Sequence, residues 1–175
     1  MRARLWGCEK MKKRMKDLQN IGNAGEYFAA YILSANGFTT TITLGRAEKF
    51  DIIAVDNKTK KTLLIQVKTL SGEGPQFRMS PKNAEIEEKN FYYFFVRLNN
   101  LRKEQEPDYW IFPNKLVAQY VKEGHKKWLK TPGMHGQKHN DGPWRSFRIK
   151  SDKYTPKNWT QTCKNYYKNV KILLQ

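Results

Sequence analysis

The sequence predicts an α/β protein in which helices flank a central mixed β-sheet. The main reason is the order of its segments, because a helix is followed by three strands, a helix, two strands and a further helix. A second reason is the apolar run from Phe91 to Val96, six residues that are typical of a buried central strand. The chain has 175 residues, of which 39% are hydrophobic and 13% aromatic, enough to form a core without disulfide bonds.

The first helix is expected from Leu18 to Asn36, where apolar residues recur at steps of three and four positions. Asn36 and Gly37 are typical of a helix C-terminus and should end it. Residues 1–16, which are strongly basic, are expected to form a tail or a frayed helix.

Three strands are expected to follow, and β-branched and apolar residues mark each of them. A turn over Gly45 to Lys49 separates the first from the second, and a hairpin turn over Asp56 to Thr59 separates the second from the third. The strands are predicted over Thr39 to Leu44, Phe50 to Val55 and Thr62 to Leu70.

The second half of the chain is predicted to add helices and strands before a loop-rich end. Ser80 and Pro81 form a favourable helix start, so a short helix is expected through Lys89. Beyond Gly124 the pattern weakens, with a last helix expected over 156–167. The other elements are strands over 91–98 and 108–112 and a helix over 113–123.

Positive charge is concentrated at the two ends of the chain. The formal net charge of +17 divides into +6 for residues 1–16, +1 for residues 17–123 and +10 for residues 124–175. We therefore divide the chain into a basic N-terminal tail (1–17), a core (18–123) and a basic, aromatic-rich C-terminal extension (124–175) packed on the core. A near-neutral body with basic ends favours a nucleic-acid partner, and a solvated lysine-rich surface is the alternative.

Several classes of protein are disfavoured. The longest purely apolar run is far shorter than a membrane span, and the basic N-terminus lacks the apolar stretch of a signal peptide. Cys8 and Cys163 form no C-x-x-C pair, which argues against a structural zinc site or a secreted disulfide scaffold. We expect a cytoplasmic protein that acts without a membrane and without a small-molecule cofactor.

Glu26 is the first residue with a chemical signal. It is the only charged residue among the twenty-eight that lie between Asp17 and Arg46. The helix around it is apolar nearly all the way round and is therefore expected to be buried. A lone buried carboxylate needs a cation or a proton to compensate it, which either a structural ion pair or a functional site would provide.

Two further signals come from the second and third predicted strands. Asp51 stands at the start of an otherwise apolar strand, where it either ends a turn or belongs to a site. Because side chains alternate along a strand, Gln66 and Lys68 share one face. An amide and an ammonium group two positions apart are expected to converge on one spot, unless the strand emerges into solvent there.

Together these residues fit the chemistry of phosphodiester hydrolysis. The reaction needs a divalent cation, which takes carboxylate and carbonyl oxygens as ligands. Asp51, the Gln66 side-chain carbonyl and the Val67 main-chain carbonyl can supply such oxygens. Glu26 can add negative charge, directly or through a water. Lys68 can orient or deprotonate a water and stabilise the charge that develops on the phosphate.

With these residues the chain resembles the PD-(D/E)XK nuclease superfamily, and most of all its archaeal Holliday-junction-resolvase and Mrr-type restriction branch. The resemblance implies a restriction-endonuclease-like fold and a Mg²⁺-dependent endonuclease, with Mn²⁺ able to substitute. It also implies metal-ligand roles for Glu26, Asp51 and Gln66 and a catalytic role for Lys68. It covers about residues 20–122 and rests on Gly25-Glu26, Asn36-Gly37-Phe38, Phe50 to Val55 and Ile65 to Thr69.

Two positions depart from the family pattern. Phe50 stands where many members have proline, and Gln66 stands where most have Glu or Asp. A neutral glutamine removes one negative charge from the ligand set and should weaken metal binding, although Mrr-like relatives also use glutamine. The sequence therefore favours a DNA endonuclease of restriction or junction type that acts as a homodimer. It leaves open a nucleic-acid-binding protein with an inactive site, an RNA-directed nuclease, and a structural protein of a nucleoprotein particle.

The C-terminal extension supplies candidate contacts to nucleic acid. Trp128, Trp144 and Trp159 are expected to form a small second core, with base stacking as the alternative. His135 and His139 lie in a loop-like sequence without a cysteine pair, which disfavours a metal site there. The basic residues expected to contact phosphates are Lys126, Lys127, Lys130, Arg145, Arg148 and Lys150.

Overall fold

The computed structural model of the chain describes residues 2–43, 49–85, 88–99 and 105–174. The helices in these ranges are α1 (Arg2–Ala35), α2 (Asn114–Lys130) and α3 (Trp159–Tyr166), with short 3₁₀ helices at Pro81–Ala84 and Val170–Leu174. The strands are β1 (Phe38–Ile42), β2 (Ile52–Asp56), β3 (Thr62–Leu70), β4 (Gln76–Met79), β5 (Phe91–Arg97), β6 (Asp108–Pro113) and β7 (Arg145–Arg148).

Five of the described strands form one mixed sheet in the order β1-β2-β3-β5-β6. Strands β3 and β5 run parallel, while the other neighbouring pairs are antiparallel. Strands β4 and β7 form a separate two-stranded antiparallel ribbon. The parallel pair requires a crossover connection, which here contains β4 and the first 3₁₀ helix. The predicted fold class, a mixed sheet with flanking helices, is confirmed.

The two faces of the sheet carry different cores. On one face, Ile65 of β3 belongs to a core with Ala29 and Leu33 of α1, which we call the α1 core. On the other face, an aromatic core joins β5 and β6 to α2, α3 and the β4–β7 ribbon. The rings of Phe95 on β5 and Phe147 on β7 stack with their centroids 4.3 Å apart. The ribbon is therefore held to the sheet by aromatic packing.

Strand β3 alternates between these two cores because its side chains point to the two faces in turn. Ile65 and Val67 belong to the α1 core, whereas Leu64 packs against the aromatic core. Gln66 and Lys68 follow Leu64 at two-residue steps and lie on its face of the sheet, opposite α1. The sharing of one face that the sequence predicts for these two polar side chains is present.

Helix α1 packs closely against β3 at Gly25. A Cβ atom at this position would lie 1.9 Å from the side-chain oxygen of Thr69, so a larger residue would force the helix away from β3. Glu26 is the next residue of the helix. The glycine therefore allows α1 to bring the Glu26 carboxylate to the end of β3 that carries the other candidate site residues.

The extent of α1 differs from the prediction at one end only. The helix ends at Ala35, and Gly37 adopts a φ of 88°, as expected for an Asn-Gly stop. At the other end it begins at Arg2 instead of Leu18, so the basic N-terminal segment continues the helix.

The expectation that α1 is buried all round is wrong. Leu18, Tyr27 and Tyr31 are 58%, 65% and 66% exposed, because only one side of the helix packs on the sheet.

Among the described residues, no helix combines the length and the apolar composition that crossing a membrane would require.

The short helix expected through Lys89 is also corrected. The structure has a 3₁₀ helix over Pro81–Ala84 instead, and residues 86 and 87 of the predicted helix lie outside the described residues. Asn83 is only 5% exposed, and its Oδ1 accepts hydrogen bonds from both the N–H and the hydroxyl of Ser80. This inward-facing asparagine tightens the segment into a turn.

The remaining differences lie at element ends and in the ribbon. Helix α2 continues past Glu123 to Lys130 and so runs across the boundary proposed between the core and the C-terminal extension. The sequence did not indicate β4 or β7 as strands. Leu44 and most of the turn predicted over 45–49 lie outside the described residues.

Candidate metal and active site

Asp51 stands directly before β2 and is fixed to the neighbouring strand. Its backbone N–H donates to the Ile65 carbonyl at 2.8 Å, and its Oδ2 accepts a hydrogen bond from the Val67 N–H at 2.6 Å. The side chain is half-buried. The carboxylate therefore lies against β3, the strand that carries Gln66 and Lys68.

The Glu26 carboxylate lies near Asp51. Burial raises the pKa of Glu26, and repulsion by the Asp51 carboxylate raises it further. Burial and the charge of Asp51 therefore both favour the protonated form of Glu26 over its ionised form. The structure thus brings these two predicted residues together from α1 and from the start of β2.

Lys68 is the cation of this group. Burial lowers the pKa of its ammonium, and attraction to Asp51 opposes that change. Burial likewise raises the pKa of Asp51, against the Val67 hydrogen bond and the charge of Lys68, which both lower it. Within the described part of the chain, Lys68 forms no direct ion pair with either carboxylate. The three charged groups influence one another without forming a salt bridge.

Gln66 is held by a polar network on the face opposite α1. Its Oε1 accepts a hydrogen bond from Asn83 Nδ2 at 3.1 Å, and the same amide donates to the Tyr93 hydroxyl at 3.0 Å. Burial raises the pKa of Tyr93 to about 12, so this hydroxyl stays neutral. The Gln66 carbonyl is therefore oriented by Asn83, and it keeps a second lone pair for another partner.

The donor set fits a hard divalent cation. Glu26 and Asp51 form a half-buried negative centre that Lys68 compensates only in part. The described residues contain no cluster of three or more His, Cys, Asp or Glu side chains, so further protein ligands would be carbonyl oxygens, from Gln66 or the Val67 main chain. One or two carboxylates with water and substrate oxygens are the usual ligands of Mg²⁺.

Replacement of Glu26 by Gln is expected to raise the Tm at neutral pH by up to about 4 °C. The pKa of Glu26 is higher in the folded chain than its ordinary value of 4.5, so its ionisation destabilises the fold at neutral pH. This cost is absent below the pKa of the unfolded chain. The stabilisation should therefore be present at pH 7, decrease as the pH falls through the raised pKa of Glu26, and be absent below about 4.5.

Thermal unfolding of both proteins across this pH range, without divalent metal, measures the effect. Glu123→Gln, which changes an exposed glutamate on α2, is the matched control and should leave the Tm unchanged at every pH. A Tm of Glu26→Gln below that of the wild type at pH 7 would mean that Glu26 is a stabilising structural ion.

The lysines predicted to contact nucleic acid are exposed. Lys126, Lys127 and Lys130 lie on the C-terminal half of α2, and Lys150 follows β7. Exposed ammonium groups are free to meet phosphates at little desolvation cost.

The two predicted arginines have other partners. Arg145 pairs with Asp141 at 3.1 Å and is only 13% exposed. Arg148 pairs with Asp152 at 3.2 Å, and its Nη2 donates to the Gln76 side-chain carbonyl at 2.5 Å. Both guanidinium groups are thus held in place by neighbouring acceptors on or beside the ribbon.

The three tryptophans do not form one core, and the expectation is wrong for Trp144. Trp159 is buried in the aromatic core at 2% exposure. Trp128 is half-buried and stacks on His139, with the ring centroids 4.0 Å apart. Trp144 is 57% exposed, and the Arg78 guanidinium lies 4.1 Å from its ring centroid.

Asn83 is the site neighbour that the sequence did not reveal. The available signal was the Ser80-x-x-Asn83 spacing, in which a serine and a side-chain amide three positions later bond to each other. That spacing predicts a capped turn, but nothing local indicates that the amide reaches Gln66 on β3.

Comparisons with known proteins do not identify a family for the chain. No family model matches the chain, and no curated protein is similar to it. Among solved structures, the chain is similar to the bacterial homing endonuclease I-Ssp6803I, with 14% sequence identity, a TM-score of 0.48 and coverage of 89% of each chain. A likeness at this level says nothing about the function of the present chain.

Proposed function

We propose that the chain is a Mg²⁺-dependent endonuclease that hydrolyses phosphodiester bonds in DNA, with Mn²⁺ able to replace Mg²⁺. The observation that carries the proposal is the grouping of Glu26, Asp51 and Lys68 where α1, β2 and β3 meet. Two carboxylates and a half-buried ammonium group are what metal-assisted phosphodiester hydrolysis uses.

Each residue of the group has a distinct role in this proposal. Glu26 and Asp51 would hold the metal ion, together with the carbonyl oxygen of Gln66 or Val67. When bound, the ion would neutralise phosphate oxygens and acidify a water. Lys68 would act on the water and on the phosphate: its lowered pKa makes the neutral, proton-accepting form available at lower pH, and its charged form stabilises the phosphate.

The nucleic-acid partner is supported by the charge of the chain. The net charge of +17 and the exposed lysines of α2 favour a polyanion, and the family resemblance favours DNA over RNA. We include a homodimer in the proposal because two such sites would cut two strands. Tyr27 and Tyr31, which α1 presents to solvent, are apolar surface that a second copy would cover.

The test is cleavage of four substrates by the wild-type protein: supercoiled plasmid, linear duplex, a four-way junction and single-stranded RNA. Each is incubated with Mg²⁺, with Mn²⁺ and with EDTA. We expect metal-dependent cutting of at least one DNA substrate and none in EDTA. Preference for the plasmid and linear duplex would indicate a restriction-type enzyme, and preference for the junction a resolvase.

Three outcomes would contradict the proposal, and the first is the absence of cutting with every substrate and metal. Cutting that persists in EDTA would show that the site does not work through a metal. Cutting of RNA alone would make the chain an RNA-directed nuclease.

An inactive nucleic-acid-binding protein is the second candidate, and Gln66 is the observation that favours it. The glutamine brings no charge to the ligand set, and its Oε1 already bonds to Asn83. Such a protein would bind DNA without cutting it, and Mg²⁺ would not raise its Tm, because a ligand stabilises only a fold that binds it.

A further inference from the structure

A cavity of about 330 Å³ lies on the far side of the β4–β7 ribbon from the sheet, outside the site described above. Its walls come from the ribbon, from the C-terminal half of α2 and from the segments on either side of β7. The volume is at the lower end of the range of ligand pockets, which suits one small planar molecule better than a polymer. The aromatic side chains that line it are Tyr120, His125, Trp128, Trp144 and Tyr154.

The polar groups of the cavity suit a nucleobase better than a phosphate. Arg145 and Arg148 line it, but both are paired with carboxylates, and Asp152 itself lies in the wall. A site with a carboxylate and neutralised arginines gives little net attraction for an anion. Gln76 and Asn140 add amide donors and acceptors, which match the mixed hydrogen-bonding edge of a base.

The ring of Trp144 is placed so that another planar group can stack on it. One face of its ring packs against the Arg78 guanidinium at 4.1 Å, yet the side chain remains 57% exposed. An exposed tryptophan at the mouth of a cavity, with a cation behind it, stacks well on the π-face of a base. The ring contributes little to the core, so its exposure is not explained by folding.

Positive charge lies on the same helix as aromatic residues that line the cavity. Lys126, Lys127 and Lys130 are exposed on α2, the helix whose Tyr120 and Trp128 line the cavity. At about 100° per residue, Lys126 and Lys130 lie on the face of α2 opposite Trp128, and Lys127 lies at its flank. These lysines add positive charge to the same helix, but they do not line the cavity. Taking a single base out of a stack into an aromatic pocket costs least in single-stranded or mispaired nucleic acid.

We propose that this cavity binds a single unstacked nucleobase, held by Trp144 and the amides of the ribbon edge. The inference goes beyond the proposed hydrolysis and does not depend on it, because it requires only binding. A chain that binds bases through Trp144 but never cuts would refute the proposed function alone. A chain that cuts DNA while binding independently of Trp144 would refute the cavity alone.

The experiment compares the wild type with Trp144→Ala in EDTA, in which the proposed function predicts no cutting. The probes are a fluorescent single strand, a matched duplex, the same duplex with one mispaired base, and free AMP as a competitor. We expect Trp144→Ala to weaken binding of the single strand and the mispaired duplex by about 5- to 150-fold, the range found for one base–aromatic stack. Binding of the matched duplex should change much less.

Two variants serve as controls. Met134→Ala removes a side chain that is 90% exposed in the same segment but does not line the cavity, and should bind as the wild type does. Trp144→Phe keeps a ring and should recover most of the affinity. Competition by AMP would show that the cavity also binds free nucleotides. Absence of competition would show that the base must belong to a strand.

Equal affinities of the wild type and Trp144→Ala for every probe would overturn the proposal. So would an equal loss for all three oligonucleotides, because that pattern describes a backbone or groove contact. Crosslinking of a 5-iodouracil-containing single strand to the wild type gives a second readout that needs no substitution. It should map to Trp144 or its neighbours in the wall, and mapping elsewhere would likewise refute the cavity as the base site.

Discussion

Asp51→Asn is expected to abolish metal-dependent cleavage, with a loss of at least about 10²–10³-fold in rate. The carboxylate is the centre of the candidate site, since it contacts β3 through the Val67 N–H and influences the pKa of both Glu26 and Lys68. Asparagine keeps the shape of the side chain and can still accept the Val67 hydrogen bond. The variant therefore removes the charge that a metal needs while leaving the local structure in place.

Two measurements separate loss of the site from loss of the fold. Because burial raises the pKa of Asp51, its ionised form is unfavourable in the folded chain at neutral pH, and the variant should unfold at a Tm no lower than the wild type's in the absence of metal. Mg²⁺ should then raise the Tm of the wild type alone. At a hundredfold excess over Kd the stabilisation would be about 2.7 kcal/mol.

Asp17→Asn is the matched control, because Asp17 is an exposed carboxylate on α1, the helix that carries Glu26. It should cut and respond to Mg²⁺ as the wild type does. Wild-type cleavage by Asp51→Asn in Mg²⁺ would refute the site as proposed.

The strands around the site could be predicted because their signals are local. Residues 62–70 were predicted as a strand and form β3, since alternating apolar residues and the preceding turn define both ends. The ribbon could not be predicted in this way. β4 and β7 have four residues each, too few for a clear alternation, and they pair residues 76–79 with 145–148, far apart in the chain.

In the candidate site, too, the sequence indicates some residues and gives no sign of others. Glu26 and Asp51 stand out because each is a charged residue in an apolar stretch of sequence. Burying a charge costs free energy unless a partner compensates it, so such a pattern indicates a site. Asn83 gives no comparable signal, because a polar residue in a polar turn is ordinary until the fold carries it to Gln66. The cavity at Trp144 was likewise out of reach, since its walls come from the distant segments of α2 and the ribbon.

Lys68→Met is expected to reduce cleavage by at least about 10²-fold. The ammonium group is half-buried on β3, on the face that Gln66 shares, and its charge is the one that lowers the pKa of Asp51. Methionine has a similar length but neither charge nor basicity. Rates of cleavage at saturating Mg²⁺ measure the loss, and Lys82→Met, on the 3₁₀ helix beside Asn83, is a control outside the charged group.

The same substitution should shift the pH dependence of metal binding. Without the Lys68 charge, the pKa of Asp51 rises further, and a metal needs Asp51 in its ionised form. The Mg²⁺-induced rise in Tm should therefore begin at higher pH in Lys68→Met than in the wild type. An onset at the same pH would show that Lys68 does not influence the metal ligands.

Lys68→Arg separates the two roles of the lysine. The guanidinium keeps the positive charge beside Asp51, so Mg²⁺ binding should begin at the wild-type pH. It does not lose its proton in proteins, so it cannot accept one from a water. We expect Lys68→Arg to bind metal normally and to recover only a small part of the lost cleavage. Full recovery would mean that Lys68 acts on the phosphate through its charge alone, and that the water is activated elsewhere in the site.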